Sequence, residues 1–357
     1  MFTIIGTVAE ATAPNLSSFK PGQVWLDTAG NPIESHLGGV LYDNGVYYWY
    51  GMNFRGGTTL PPGTVENKFS WMDNRGVSVY SSRDLYNWKP EGVNLRSDPL
   101  IHPNDMLLRP KVIKNDATGK YVMMAQRCAA NWSRNDIIVA TSDSAVGPFT
   151  VNGTLNPHGG ANDITLYKDD NGKAYLVTAI HWVKISELSD DYLSIKTTTT
   201  VASLNGEAPA IFKSNGAYYF VGSQLTGWAP NANHYFTASS ILGPWTYKGA
   251  FAAGSGSENT FASQTTFVLP VADRKDSFIF MADRTNAASE TVIDDMDAMI
   301  HVWLPITLDQ NAKTMTVPWR SVWDLSVFLV PAAAPSSFVW LPIVLIGSLA
   351  CAWHKRK

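Results

Sequence analysis

Between residues 38 and 305, short apolar runs alternate with turns rich in Gly, Asn, Asp and Pro, while long helical periodicity is scarce. The runs recur in a fixed order of apolar run, polar turn and aromatic-rich run. That order appears as GGVLYDNGVYYWYG from Gly38, RPKVIKNDATGKYVMM from Arg109 and DITLYKDDNGKAYLV from Asp163, then as EAPAIFKSNGAYYFVG from Glu207 and SQTTFVLPVADRKDSFIFM from Ser263. Each reads as a β-hairpin, with Asn44-Gly45, Asn171-Gly172 and Asn215-Gly216 supplying turn residues that accept positive φ. Most are followed by a second hairpin with a Ser-containing turn, as in GVSVYSSRDLYNWKPEG, IIVATSDSAVGPFTVNG and HYFTASSILGPWTYKG.

Two hairpins in series make a four-stranded unit, and five such units predict an all-β fold, a five-bladed β-propeller. A β-sandwich would not explain the paired-hairpin rhythm. Residues 1–30 read as a lead-in segment, 31–330 as the propeller and 331–357 as a linker with a C-terminal hydrophobic helix. In a propeller the first strand of each blade lines the central channel. The five repeat heads therefore converge at one end of it: Glu34 to Gly39, Leu108 to Pro110, Asn162-Asp163, Gly206-Glu207 and Ser263-Gln264.

Composition narrows the function. A net charge of −3 offers no basic field for nucleic acid, and 12% aromatic against 16% charged residues suits a β protein with a carbohydrate-like or apolar groove. Cys128 and Cys351 are the only cysteines, and the second lies in the apolar tail, so no disulfide is expected. His36, His158, His181, His234 and His301 lack zinc-ligand spacing, and no transition metal is expected. The tail is uncharged from Phe338 to Trp353 and then basic from His354 to Lys357. Although shorter than the roughly 20 residues of a spanning helix, it predicts a transmembrane anchor with the large domain outside, in an extracellular or lumenal location. A packed terminal element is the alternative. Sequons at Asn15, Asn131 and Asn152 fit that route, whereas the start MFTIIGTVAEA is too short for a signal peptide.

Among the heads, Glu207 stands at the mouth of an apolar strand, and Asp163 occupies the corresponding place in the adjacent repeat. Cleaving a sugar acetal needs a proton donor at the leaving oxygen and a group that directs water from the other face. A buried carboxylic acid near a second negative charge can be that donor. Alone, either carboxylate reads better as a turn cap; the pair at equivalent places in adjacent repeats is what favours a site.

From Glu34 to Pro318 the sequence resembles glycoside hydrolase family 43, most closely its galactan 1,3-β-galactosidase branch. The stretches that carry the resemblance are SHLGGVLYDNGVYYWYG, RPKVIKN, DITLYKDDNGKAYLV, GEAPAIFKSNGAYYF, LTGWAPN, FASQTTFV and VWLPI. The resemblance implies an exo-acting, inverting hydrolase of β-1,3-galactan or arabinogalactan side chains. Glu207 would be its general acid, Asp163 its pKa modulator and Gln264 the residue that positions water. The first head, HLGG, has no aspartate base, as in that branch. Thr226, Gly227 and Trp228 match the rim of the family's site, and Trp132 is a second candidate platform for a sugar ring. Glu34, His36 and Arg109 are candidate substrate contacts. The resemblance implies no cofactor, although some relatives hold a channel calcium. Met52 and Leu108 replace glutamates typical of the branch. They keep two alternatives open: a sugar-binding propeller with impaired catalysis, and a family 43 hydrolase acting on arabinosides or xylosides.

Overall fold

A computed structural model describes residues 15–54, 75–129, 132–157, 162–180, 182–227, 229–284, 287–289, 292–293 and 299–329. The predicted C-terminal helix lies outside these residues. No helix among those described is long and apolar enough to cross a membrane.

Four sheets follow the predicted rhythm of two consecutive hairpins, each an antiparallel meander. The first contains β1 (His36–Asp43), β2 (Val46–Met52), β3 (Val77–Ser82) and β4 (Lys89–Leu95). The second contains β5 (Asp105–Lys114), β6 (Tyr121–Ala129), β7 (Asn135–Ser142) and β8 (Thr150–Leu155). The third is built from β9 (Ile164–Lys168), β10 (Ala174–Ile180), β11 (Trp182–Leu188) and β12 (Ile195–Val201). The fourth is built from β13 (Glu207–Ser214), β14 (Ala217–Ser223), β15 (His234–Ala238) and β16 (Thr246–Ala250). Beyond them come β17 (Ala252–Ala253), β18 (Ser263–Pro270), β19 (Phe278–Arg284), β20 (Ala287–Ser289) and β21 (Val292–Ile293), then β22 (Ile300–Pro305), β23 (Thr307–Asp309) and β24 (Thr314–Pro318).

The expectation of five blades is corrected here. The described strands form six sheets of three or four strands: the four above, β18-β19-β22, and β17-β24-β23. The sixth escaped the repeat pattern because it is not made of consecutive hairpins. Its β17 pairs in parallel with β24, setting Ala252 beside Val317, and no hairpin rhythm reports a pairing across that sequence distance. The turns also differ in one detail. Asn44-Gly45 and Asn215-Gly216 both take positive φ, but in the β9/β10 turn Gly172 does so without Asn171. That turn is longer, with Asp169 N–H donating to Lys173 O and Gly172 N–H to Asp169 O.

The inner strands β1, β5, β9, β13 and β18 each pack against the next, and β18 returns to β1. Apolar clusters fill the spaces between neighbouring sheets. Tyr50, Val79, Met123 and Ile138 lie between the first and second sheets, and Val122, Val139, Leu166 and Leu176 between the second and third. Phe251, Met315 and Val317 join Phe212, Tyr219, Phe280 and Val302 where the sixth sheet meets the fourth and fifth. The two ends of the described chain meet over the first and fifth sheets. There Phe19 forms a β-bridge with Trp323 and stacks on its ring at 4.2 Å, beside a cluster of Trp25, Trp49, Trp88 and Trp303.

Four inner strands share a kink where they face the channel. Leu37, Arg109, Asp163 and Ala208 all sit in the left-handed region, with φ of 57°, 50°, 35° and 54°. In β1, β5 and β13 the kink coincides with a bulge in the pairing with the next strand. Gly38 follows one kink by necessity, because a Cβ there would fall 1.7 Å from the carbonyl oxygen of Tyr50. The kinks re-aim side chains that would otherwise continue the strand's alternation, and this brings the heads together.

The tryptophan cluster leads to a stability prediction. Trp303 is 2% exposed and packs on Trp49 at 4.6 Å. Trp303→Ala is expected to cost about 3–5 kcal/mol in urea unfolding. Trp182→Ala, at a ring 58% exposed, should stay within about 0.5 kcal/mol of wild type. Equal losses would show that the cluster is not the core it resembles.

Candidate active site

The kinked heads open into a cleft of about 210 Å³ lined by Leu37, Leu108, Arg109, Gln126, Trp132, Asn162, Asp163, Ala179, Glu207, Gly227 and Gln264. Arg109, from the second sheet, is 3% exposed and organises it. Its Nε donates to Asp163 Oδ1 at 2.6 Å, Nη2 to Gln264 Oε1 at 2.6 Å and Nη1 to the Thr265 carbonyl at 3.2 Å. Gln264 Nε2 in turn donates to Glu207 Oε1 at 3.2 Å and to Ser223 Oγ at 3.0 Å. The guanidinium is a pure donor, so the Gln264 oxygen must face Arg109 and its NH₂ must face Glu207.

Asp163 spends its second oxygen on the backbone. Oδ2 accepts from Ala208 N–H at 2.7 Å, and Asp163 N–H donates to Gln126 Oε1 at 3.1 Å. One carboxylate thereby ties down both its own kinked head and the kink at Ala208, directly after Glu207. The chain of bonds continues from Gln126 to Asn135 and from Asn135 to Asn162.

One wall of the cleft is apolar. Leu37 and Leu108 line it and pack with Met52, Phe54, Met106, Cys128 and Met299. Cys128 is a buried free thiol, and burial pushes it up to about 12. Lys111 is 2% exposed among the inner strands, and its Nζ donates to Leu37 O at 2.9 Å. Burial and the adjacent Arg109 push its ammonium well below the usual lysine range.

The predicted site residues therefore separate into groups. Glu207, Gln264, Asp163, Arg109, Trp132 and Gly227 share the cleft, with Trp132 half exposed at its edge. Thr226 lines an adjoining groove, where its hydroxyl donates to Ala229 O and accepts from Asn231. Trp228 lies outside the described residues. Glu34 and His36 line neither and belong to a buried network. In it, His36 Nε2 is 3.4 Å from Glu34 Oε2, and the His36 and His301 rings stack at 4.6 Å.

His36, Asp283 and His301 bring potential ligand atoms within 4.8 Å of one another. Both Asp283 oxygens are already used, Oδ1 by His301 Nδ1 at 2.9 Å and Oδ2 by Leu37 N–H at 2.6 Å. Burial works to raise the Asp283 pKa, but the bond and charge of His301, the charge of His36 and the Leu37 N–H outweigh it and hold the group below the usual carboxylate range. Two imidazoles and one engaged carboxylate do not make the oxygen-rich cage that calcium takes.

Sequence reading missed Gln126 and Ser223. Both sit opposite channel heads on the second strand of a blade, Gln126 facing Leu108 and Ser223 facing Glu207, a register interrupted by bulges that the sequence pattern does not report.

Residues 38–294 match the family model of glycosyl hydrolases family 43. No curated protein matches the chain. Among solved structures, the chain is similar to a GH43 β-1,3-galactosidase at 34% identity and a TM-score of 0.77, over 87% of this chain and 64% of that one. It is also similar to an exo-β-1,3-galactanase from Phanerochaete chrysosporium solved with β-1,3-galactotriose, at 30% identity and a TM-score of 0.74, over 87% and 68%. An exo-β-1,3-galactanase from Clostridium thermocellum follows at 28% and 0.72, over 85% and 66%. The chain thus spans 64% of the length of the first of these relatives. On the match across its repeats and these identities, the chain belongs to glycosyl hydrolases family 43.

Proposed function

We propose that the cleft removes terminal galactose from β-1,3-linked galactan or arabinogalactan side chains, with inversion and without a cofactor. The observation that carries this reading is the bond from Gln264 Nε2 to Glu207 Oε1. A protonated Glu207 accepts that bond on its carbonyl oxygen, which leaves the acidic proton on Oε2 for the leaving glycosidic oxygen. Gln264 keeps a second lone pair on Oε1 beyond the one engaged by Arg109, and this lone pair orients the attacking water. An amide orients water better than it deprotonates it, so the acid and the oxocarbenium-like centre carry most of the catalysis. Asp163 is ion-paired with Arg109, and its charge is therefore partly compensated at Glu207. Its principal work here is to fix the Ala208 kink that aims the acid.

The named substrates of the similar structures, a β-1,3-galactosidase and exo-β-1,3-galactanases, support the choice of sugar and linkage. One observation favours a second reading, sugar binding with weak turnover or a different glycoside: the apolar wall of Leu37 and Leu108, backed by Met52. A hydroxyl facing that wall finds no hydrogen-bond partner there.

For location, the reading is extracellular or lumenal with residues 338–353 as the anchor, supported by the apolar composition and basic end of that segment.

Glu207→Gln is expected to lower hydrolysis of β-1,3-galactooligosaccharides by about 10²- to 10⁴-fold while leaving binding in place. Unchanged release of galactose would end the assignment of the acid. Products from a panel of β-galactans, arabinosides and xylosides, with anomers read by NMR, should show free galactose in the inverted configuration. Removal of residues 336–357 is expected to move the protein from the membrane fraction to the soluble one, and retention in the membrane would refute the anchor.

A further inference from the structure

A larger open groove of about 910 Å³ includes Gly206, Ser223 and Thr226 in its lining. Gly206 precedes Glu207, and Ser223 both pairs with Glu207 across the β13/β14 ladder and accepts from Gln264. The two linings are consecutive in the chain at Gly206-Glu207 and again at Thr226-Gly227.

Two aromatic rings are exposed in this concavity. Trp182, on β11, is 58% exposed and Tyr247, on β16, is 55% exposed. The Tyr247 ring is nevertheless held in place. Its hydroxyl lies 3.1 Å from His234 Nδ1, and it meets the Phe236 ring edge-on at 5.2 Å. Solvent-facing aromatics that share one groove mark a candidate binding surface. Ser203, Asn205 and Gln224 supply polar groups between the rings. None of the described lining residues is Asp, Glu, Lys or Arg. Burial also pushes the His234 imidazole below its ordinary range, towards its neutral form. Aromatic surface, neutral hydrogen-bonding groups and an absence of formal charge together select an uncharged polyhydroxylated ligand. They do not suit an anionic glycan, a phosphorylated sugar or a charged peptide.

We propose that the groove binds the continuation of a neutral glycan chain whose terminal unit occupies the cleft, with Trp182 and Tyr247 as two platforms for its sugar rings. The proposal rests on the reading of the cleft given above and extends it from the bond that is cut to the rest of the chain. It assigns preference for chain length to residues remote from the acid.

The test uses the full chain carrying Glu207→Gln, titrated calorimetrically with β-1,3-galactobiose and β-1,3-galactohexaose. The hexaose should bind more tightly than the biose. Adding Trp182→Ala or Tyr247→Ala should weaken the hexaose about 10-fold, as expected for losing an aromatic anchor, and leave the biose unchanged. Tyr247→Phe, which keeps the ring, should retain most of the hexaose affinity. Equal affinity for the two sugars, or a hexaose affinity indifferent to both alanine variants, overturns the proposal and leaves the groove to a protein partner. The two readings fail separately. If the wild type releases no galactose but hexaose affinity still falls with Trp182→Ala, the groove stands and the hydrolase reading does not. If galactose is released but affinity ignores chain length, the groove alone is wrong.

Discussion

The Arg109 guanidinium is nearly withdrawn from water and yet donates to groups from two other blades, the Asp163 carboxylate, the Gln264 amide and the Thr265 carbonyl. Burying a charge is costly unless it is fully paired, and a fully paired buried guanidinium fixes the positions of its partners. Here Asp163 and Gln264 line the cleft together with Glu207. Asp163 passes the constraint to the Ala208 backbone and Gln264 passes it to Glu207. Arg109 itself reaches this position through a left-handed backbone, which a regular strand would not give it. The cleft is therefore held by electrostatics that extend across blades, over a scaffold whose stability comes from apolar contacts between blades.

This division explains how much could be read in the sequence. Hairpins announce themselves through apolar runs and turn residues, so β1 to β10 and β13 to β16 were legible, as were the head residues Glu207, Asp163 and Gln264. The sheet β17-β24-β23 was not, because Ala252 meets Val317 through a long-range parallel pairing that leaves no local pattern. The same limit hid Gln126 and Ser223. Each acts from the second strand of its blade, and its role appears only once the register opposite Leu108 and Glu207 is known. Glu34 and His36 illustrate the opposite case. They belong to a head by sequence, but the Leu37 kink leaves them in the buried network around Asp283 and His301.

The cleft also has two chemically different sides. Arg109, Asp163, Glu207 and Gln264 form a hydrogen-bonded face, while Leu37 and Leu108 form a dry one. Orientation of a sugar in such a site is set as much by the hydroxyls that the dry side rejects as by those the polar side holds. The cleft therefore presents one hydrogen-bonding wall and one apolar wall.

Lys111 adds a constraint of another kind. Its ammonium is buried among the inner strands and bonded to the Leu37 carbonyl, so β5 is tied by a charged side chain to the kinked backbone of β1. The Leu37 kink and the apolar wall it carries are thereby fastened to the strand that also bears Arg109, so the dry and polar sides of the cleft share one anchor.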